Sequence, residues 1–345
     1  MENAPAPSQR VLESLGLDDA RLAEAEALGG IGALGRVNRV DRGMATVVTE
    51  AGPLRVDNPT NDALIVGDWA VVIDGVPTRL ERRTELVRRT GYRRDERQAI
   101  AANVDLVLVV RALDTAVRLN RLSTLVVIAY DSGAVPLVVL TKADLDPDPA
   151  AACQQVATGL GGVETMAIST VTGAGIDELR ARVAGRTIVL LGESGAGKST
   201  LTNALAEAQH LATADVRRDG QGRHTTTHRE LVVLPTGGVV IDTPGIRDAA
   251  SFGEGAGLEL TFADVVELAL RCRFSDCAHG PTPGCAITPA IEDGTIDQAR
   301  VEAYLHEVAE QAWLERRHDL RAQSEAKANP KRLTKAMRSR RREDP

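Results

Sequence analysis

The order of two short motifs constrains this chain more than anything else in it. "VVLTKADL" at 138–145 ends an apolar run in Thr-Lys-x-Asp, and "GESGAGKS" at 192–199 follows a second apolar run. The later stretch fits Gly-x-x-x-x-Gly-Lys-Ser, whose glycines let successive backbone N–H groups turn inward and cradle phosphate oxygens where a helix begins. Gly192, Glu193, Ser194, Gly195, Ala196, Gly197, Lys198, Ser199 and Thr200 form this candidate phosphate site. Lys198 would reach the β- and γ-phosphates as a catalytic cation, and Ser199 would ligate Mg2+. The earlier stretch, Thr141, Lys142, Ala143 and Asp144, suits a guanine base. The Asp144 carboxylate accepts from N1–H and the 2-amino group, which adenine cannot offer, while Lys142 lays its stem over the ring. Thr141 stands where Asn is usual and is expected to contribute less. "ISTVTG" at 168–173 adds Ser169 and the Thr170 backbone toward the guanine O6.

Two further stretches complete the set. "VVIDTPGIRD" at 239–248 puts Asp242 at a strand end to hold the Mg2+ shell, and Gly245 where its N–H can approach the γ-phosphate. "DGQGRHTTTH" at 219–228 lies where a nucleotide-sensing switch belongs, with a Thr from 225–227, taken as Thr226, to cap Mg2+. Ile246 sits where many GTPases place the Gln that orients water, so His224 is the nearest polar candidate for that work. The base, phosphate and metal motifs each follow an apolar run, on the rim of an α/β sheet where ligands bind. That rim survives if the old termini are joined and the chain is cut elsewhere, since domain termini commonly lie close together. The order is that of a circularly permuted GTPase.

Lysine usage argues against coincidence. Of 41 basic residues five are Lys, and only Lys142 and Lys198 precede position 327. Both fall inside the nucleotide motifs, where a compact ammonium differs in function from a planar guanidinium.

Around this centre, residues 35–82 carry short β-like runs ("GRVNRV", "GMATVVTE", "GPLRVD", "GDWAVVIDG") that predict a small β-barrel with Trp69 in its core. An Arg-rich linker, 79–97, leads to the GTPase unit at 98–252, whose continuous Val/Ile/Leu runs predict a largely parallel sheet with one antiparallel edge at 230–242. Residues 1–34 read as a flexible extension with one possible short helix at 18–28. "CRFSDCAHGPTPGC" spaces Cys272, Cys277, His279 and Cys285 as a closed, structural Zn2+ site within a mostly α unit at 253–310. The stretch 311–345 reads as a basic helix and tail. Between 316 and 342, eleven Lys or Arg against Asp319 and Glu325 give +9, leaving −16 on the rest of a chain of net charge −7. An acidic body with a basic tail suits a polyanionic partner. No apolar run reaches membrane-span length and no signal peptide is visible, so a cytoplasmic protein with no membrane partner is expected.

The combined order resembles the RsgA (YjeQ) family of circularly permuted GTPases, from about Gly35 to Tyr304. It is carried by "VGDWAVV", "AANVDLVLVV", "TKAD", "GESGAGKST", "GRHTTT", "DTPGI" and the Cys/His spacing. The resemblance implies an N-terminal OB-fold, a permuted P-loop GTPase and a zinc domain. It also implies binding to the 30S subunit and 16S rRNA late in small-subunit maturation, and GTP hydrolysis to GDP stimulated by the ribosome. It points to His224 as the catalytic histidine, and a monomer is expected. A P-loop ATPase or kinase, and an RNA-binding scaffold with a vestigial site, are the competing classes; "TKAD" argues against the first and the complete phosphate and metal motifs against the second. With aromatics at 2% of the chain, RNA binding by the barrel would rest on arginines (Arg36, Arg39, Arg42, Arg55, the linker and the tail) contacting phosphates rather than on base stacking.

Overall fold

The apolar runs after residue 104 become strands buried on both faces. In a computed structural model of the chain, which describes residues 9–41, 43–60, 63–90, 96–207, 229–242, 256–275, 277–280, 282–313 and 316, five parallel strands lie in the order β10-β9-β8-β11-β13. These are β8 (Leu106–Ala112), β9 (Val135–Thr141), β10 (Thr165–Ala167), β11 (Thr187–Gly192) and β13 (Val239–Asp242). Alternate residues face opposite ways. Val107, Val109, Val138, Leu140, Val189 and Leu191 meet α3 (Leu119–Asp131) and α4 (Pro149–Gly159). Leu106, Leu108, Val110, Leu137, Val139, Ile188 and Leu190 meet α5 (Ile176–Val183) and α6 (Lys198–Ala206). The sheet is thus covered on both sides, and the loops that follow β9, β10 and β11 emerge on one rim.

β12 (Arg229–Val233) pairs antiparallel with β13, the antiparallel edge expected at 230–242. Its other edge carries a second unit. β1 (Leu34–Asp41) runs antiparallel to it, with Arg39 opposite Glu230 and Val40 opposite Arg229. Asn38, at the register shift in β1, accepts from the Leu231 N–H at 3.1 Å. From β1 the strands β2 (Met44–Thr49) and β3 (Gly52–Asp57) extend one way, and β4 (Trp69–Ile73) and β5 (Val76–Arg79) the other, around Val37, Val47, Val56, Leu64 and Val72. One eleven-stranded sheet therefore runs through both units.

Two sequence expectations change here. Residues 9–27 carry two helices rather than a flexible extension: α1 (Gln9–Ser14), α2 (Asp19–Ala27) and the turn between them bury Leu12, Leu15 and Ala25 in the main core, and Asp18 caps α2 through the Arg21 N–H. The Arg-rich linker is largely strand, with β6 (Glu85–Thr90) and β7 (Glu96–Ala102) paired as a hairpin. Arg36 and, in the linker, Arg82 face inward where the sequence assigned them to RNA phosphates, whereas Arg79 and Arg83 are exposed. Arg36 is 1% exposed and donates to the carbonyls of Leu15, Gly67 and Asn103 and to the Thr187 hydroxyl, while its guanidinium stacks 5.3 Å from the Trp69 ring. Arg82 grips the fully buried Asp68 with two bonds of 2.8 Å, Arg83 holds Asp18, and Arg21 reaches Asn103. A long guanidinium with five donors can satisfy several carbonyls at once, so arginine serves where three segments meet. Arg39 and Arg55, flanking Asp41, remain on the surface; Arg42 lies outside the described residues.

Beyond residue 255, α7 (Ala256–Thr261), α8 (Ala263–Ala269), α9 (Ile287–Glu292) and a helix at 298–313 pack around Phe262, Val265, Ile287, Ile296 and Val301, with Val127 of α3 in the same cluster. Two buried polar contacts join this unit to the GTPase unit. Arg300 donates to the Gly159 carbonyl and to Asp264, and Glu307 accepts from Ser123 and Thr124 of α3 at 2.8 and 2.6 Å. The basic tail beyond 316 lies outside the described residues. Among those described, no helix is long and apolar enough to cross a membrane.

Candidate functional site

The phosphate loop is shaped by its glycines. Gly192 leaves β11 at φ +152°, and a Cβ there would come within 2.2 Å of the Val110 carbonyl oxygen, so the backbones of β8 and the loop approach as only glycine allows. Gly197, at φ +87°, opens α6. The Lys198 ammonium lies against the loop, 2.7 Å from the carbonyls of both Gly192 and Glu193. Ser194, Ser199 and Thr200 are exposed, and Ala196 is buried. Phosphate oxygens arriving here would meet backbone N–H groups, the helix N-terminus and one ammonium.

The base side meets this loop directly. Thr141 ends β9, is 4% exposed, and donates its hydroxyl to the Ala196 carbonyl at 2.7 Å. Where the sequence expects threonine to give less than asparagine, this hydroxyl fastens the base loop to the phosphate loop. Lys142 then takes a left-handed conformation, φ +57°, and pairs with Asp114 at 2.6 Å; that hydrogen bond holds the Asp114 carboxyl below its ordinary range. The Ala143 N–H bonds to the Ile168 carbonyl. Asp144, exposed, receives a 2.5 Å hydrogen bond from the Ser169 hydroxyl, which in turn accepts from the N–H groups of Val171 and Thr172. Ser169 is 1% exposed, so its hydroxyl orients the Asp144 carboxylate. Thr170 beside it is half-buried.

Three side chains, Arg111, Arg121 and Asp114, were not foreseen. Glu193, inside the loop, is held by Arg111 from the end of β8 at 2.6 Å and by Arg121 from the first turn of α3. Asp114, the partner of Lys142, sits in the turn between those two arginines. An acidic residue inside a polyphosphate loop was a signal that a cation must lie nearby. Asp242 closes β13 opposite Glu230. His224, Thr226 and Gly245 lie outside the described residues.

The four metal candidates converge as their spacing predicts. The ligand atoms of Cys272, Cys277, His279 and Cys285 all lie within 4.8 Å of one another, with Cys272 Sγ 3.6 Å from His279 Nδ1. Tetrahedral ligands at a bond length of about 2.3 Å stand roughly 3.8 Å apart, so the set fits a thiolate-binding ion. The Ala286 N–H points at the Cys272 sulfur. Burial opposes ionisation of Cys285, but hydrogen bonds from Thr288, Ile287 and His279 outweigh it and bring its pKa down to about 6.

Comparison with known proteins agrees with this geometry. The family model described as RsgA GTPase matches residues 79–251, half of the chain. The chain is 45% identical over 337 residues to a protein of Streptomyces coelicolor named small ribosomal subunit biogenesis GTPase RsgA, covering 93% of this chain and 92% of that one. The chain belongs to the RsgA GTPase family. It is accordingly a GTP hydrolase. The RsgA of Streptomyces avermitilis is 42% identical over 315 residues, covering 86% and 85% of the two chains. Two solved structures share the fold. YjeQ from Thermotoga maritima matches with TM-score 0.58 and 26% identity over 81% of this chain and 98% of that one. YloQ, a circularly permuted GTPase, gives 0.57 and 25% over 80% and 94%. A model described as ABC transporter matches 182–340, a span that includes the phosphate loop but not the base loop at 141–144.

Proposed function

We propose that this RsgA-family GTPase acts in biogenesis of the small ribosomal subunit, binding the 30S particle and its 16S rRNA and hydrolysing GTP to GDP and phosphate faster on the ribosome than alone. The observation that carries the nucleotide part is the Thr141–Ala196 hydrogen bond, which brings the base loop onto the phosphate loop despite their reversed order in the chain. Asp144, oriented by Ser169, reads guanine; Lys198 takes the β- and γ-phosphates; Ser199, Asp242 and Thr226 serve Mg2+; and His224 positions water. The Cys272, Cys277, His279 and Cys285 set holds one structural Zn2+. The five strands β3-β2-β1-β4-β5, with β3 beside β5, support an OB-fold reading of residues 35–82. With Arg36 internal, Arg39 and Arg55 are left as its rRNA contacts, beside the basic tail. The names of the relatives support the ribosomal role; a cytoplasmic monomer belongs to the same proposal.

Single-turnover hydrolysis with and without 30S subunits tests this reading. His224→Ala should remove most of the stimulated rate and leave GTP affinity near wild type, whereas Lys198→Ala should damage both, because positioning supplies most of phosphoryl-transfer catalysis. Full stimulated hydrolysis by the His224 variant, or the absence of any stimulation in the wild type, would refute it.

A further inference from the structure

Glu193 is tied on two sides. Its main-chain carbonyl accepts from Lys198, and its carboxylate accepts from Arg111 and Arg121. Arg111 goes further, donating to the Thr115 hydroxyl at 2.7 Å and the Ala116 carbonyl at 3.1 Å, and so fixes the turn whose Asp114 pairs with Lys142. One guanidinium thus links the phosphate loop to the base side. A carboxylate in a loop that takes up a polyphosphate opposes its ligand across a Debye length, about 8 Å at physiological salt. The two arginines turn that local charge from −1 to +1.

We propose that Arg111 and Arg121 are positioning residues for the nucleotide: they neutralise Glu193 and hold its carboxylate off the incoming phosphates, and thereby set the affinity of the loop, for the triphosphate more than for the diphosphate. This rests on the reading that residues 192–199 hold the phosphates. Both arginines are outside the expected motifs, and neither needs to touch the nucleotide to act.

Titration with fluorescent GTP and GDP in Mg2+ tests the proposal. Arg111→Ala/Arg121→Ala should weaken GTP about tenfold and GDP less, as expected when two part-exposed charge pairs are lost. Adding Glu193→Gln should restore GTP affinity to within about twofold, which a merely structural role for the arginines would not do. Should the double variant fail to fold, Arg121→Ala alone, at the more exposed partner, carries the same test with about a fivefold loss. Unchanged affinity in the arginine variants overturns the proposal, as does a loss that Glu193→Gln leaves in place. Lys198→Ala separates the two levels: if it binds GTP normally the loop reading falls, and if it loses GTP while the arginine variants do not, only the present proposal falls.

Discussion

Replacing Arg36 with methionine, a side chain of similar length without donors, tests whether the barrel arginines hold the molecule together or read RNA. The guanidinium has four acceptors from four separate segments: Leu15, Gly67, Asn103 and Thr187. Two contacts are short and charge-assisted, worth about 1.5–3 kcal/mol each, and the two at 3.3 Å contribute about 0.5–1 kcal/mol each. Against this stands the cost of burying the cation. Burial pushes the pKa of Arg36 down to about 10, which corresponds to roughly 3 kcal/mol. The arginine stays charged at neutral pH, and the balance leaves a net loss of about 3 kcal/mol for Arg36→Met. The assay is guanidinium unfolding followed by tryptophan fluorescence. The chain has two tryptophans, and Trp69 lies directly under Arg36, so a Trp313→Phe background makes Trp69 the sole probe. The Trp69 transition should move to lower denaturant by the equivalent of that loss. A shift below about 1 kcal/mol, or unchanged stability with weakened rRNA binding, would refute the reasoning.

Asp144→Asn should exchange GTP for xanthosine triphosphate, read by competition binding, because the acceptor for the guanine edge becomes partly a donor; Ser169→Ala should weaken GTP about fivefold by freeing that carboxylate from its hydrogen bond. Thr141→Ala should cost GTP and GDP equally, about fivefold each, since the lost bond to Ala196 supports the loop rather than the γ-phosphate. Elemental analysis should find one Zn2+ per chain, and Cys277→Ala should abolish it together with helical circular dichroism from the region beyond 255. Glu307 is buried, and desolvation raises its pKa despite hydrogen bonds from Thr124 and Ser123. A carboxyl with a raised folded pKa supports the fold at acid pH and loses that support as pH rises through the folded value. Glu307→Gln, which keeps an acceptor oxygen, should therefore raise the melting temperature at pH 7 and change little near pH 4.

What the sequence revealed and what it hid divide along physical lines. The parallel sheet was legible because strands covered on both faces must be continuous Val, Ile and Leu, as in β8, β9 and β11. The candidate loops at 141–144 and 192–199 and the Cys/His cluster could be picked out because each is nearly contiguous in the chain. The Arg36 network was not: its partners are as far off as Thr187, and nothing at the arginine itself announces them. The β6–β7 hairpin passed as a charged linker because its sequence is dense in charged residues and its partner strand is separated by the stretch 91–95. Nor does anything near Ser123 and Thr124 in the chain announce Glu307, their partner from the far end.

The ladder between β1 and β12 closes a ring. The polypeptide leaves the barrel through β5 and enters the GTPase unit at β8, and the two units meet again through strand pairing at Arg39–Glu230 and Val40–Arg229. A body fastened at two points cannot swivel freely about either. Torque applied to the barrel is borne by β12, and β12 is the strand that emerges from the stretch containing His224 and Thr226. Its first residue, Arg229, follows His224 by five positions and is registered against Val40. The barrel therefore fixes where that stretch must end, and a load on its outer surface reaches this end along two paired strands.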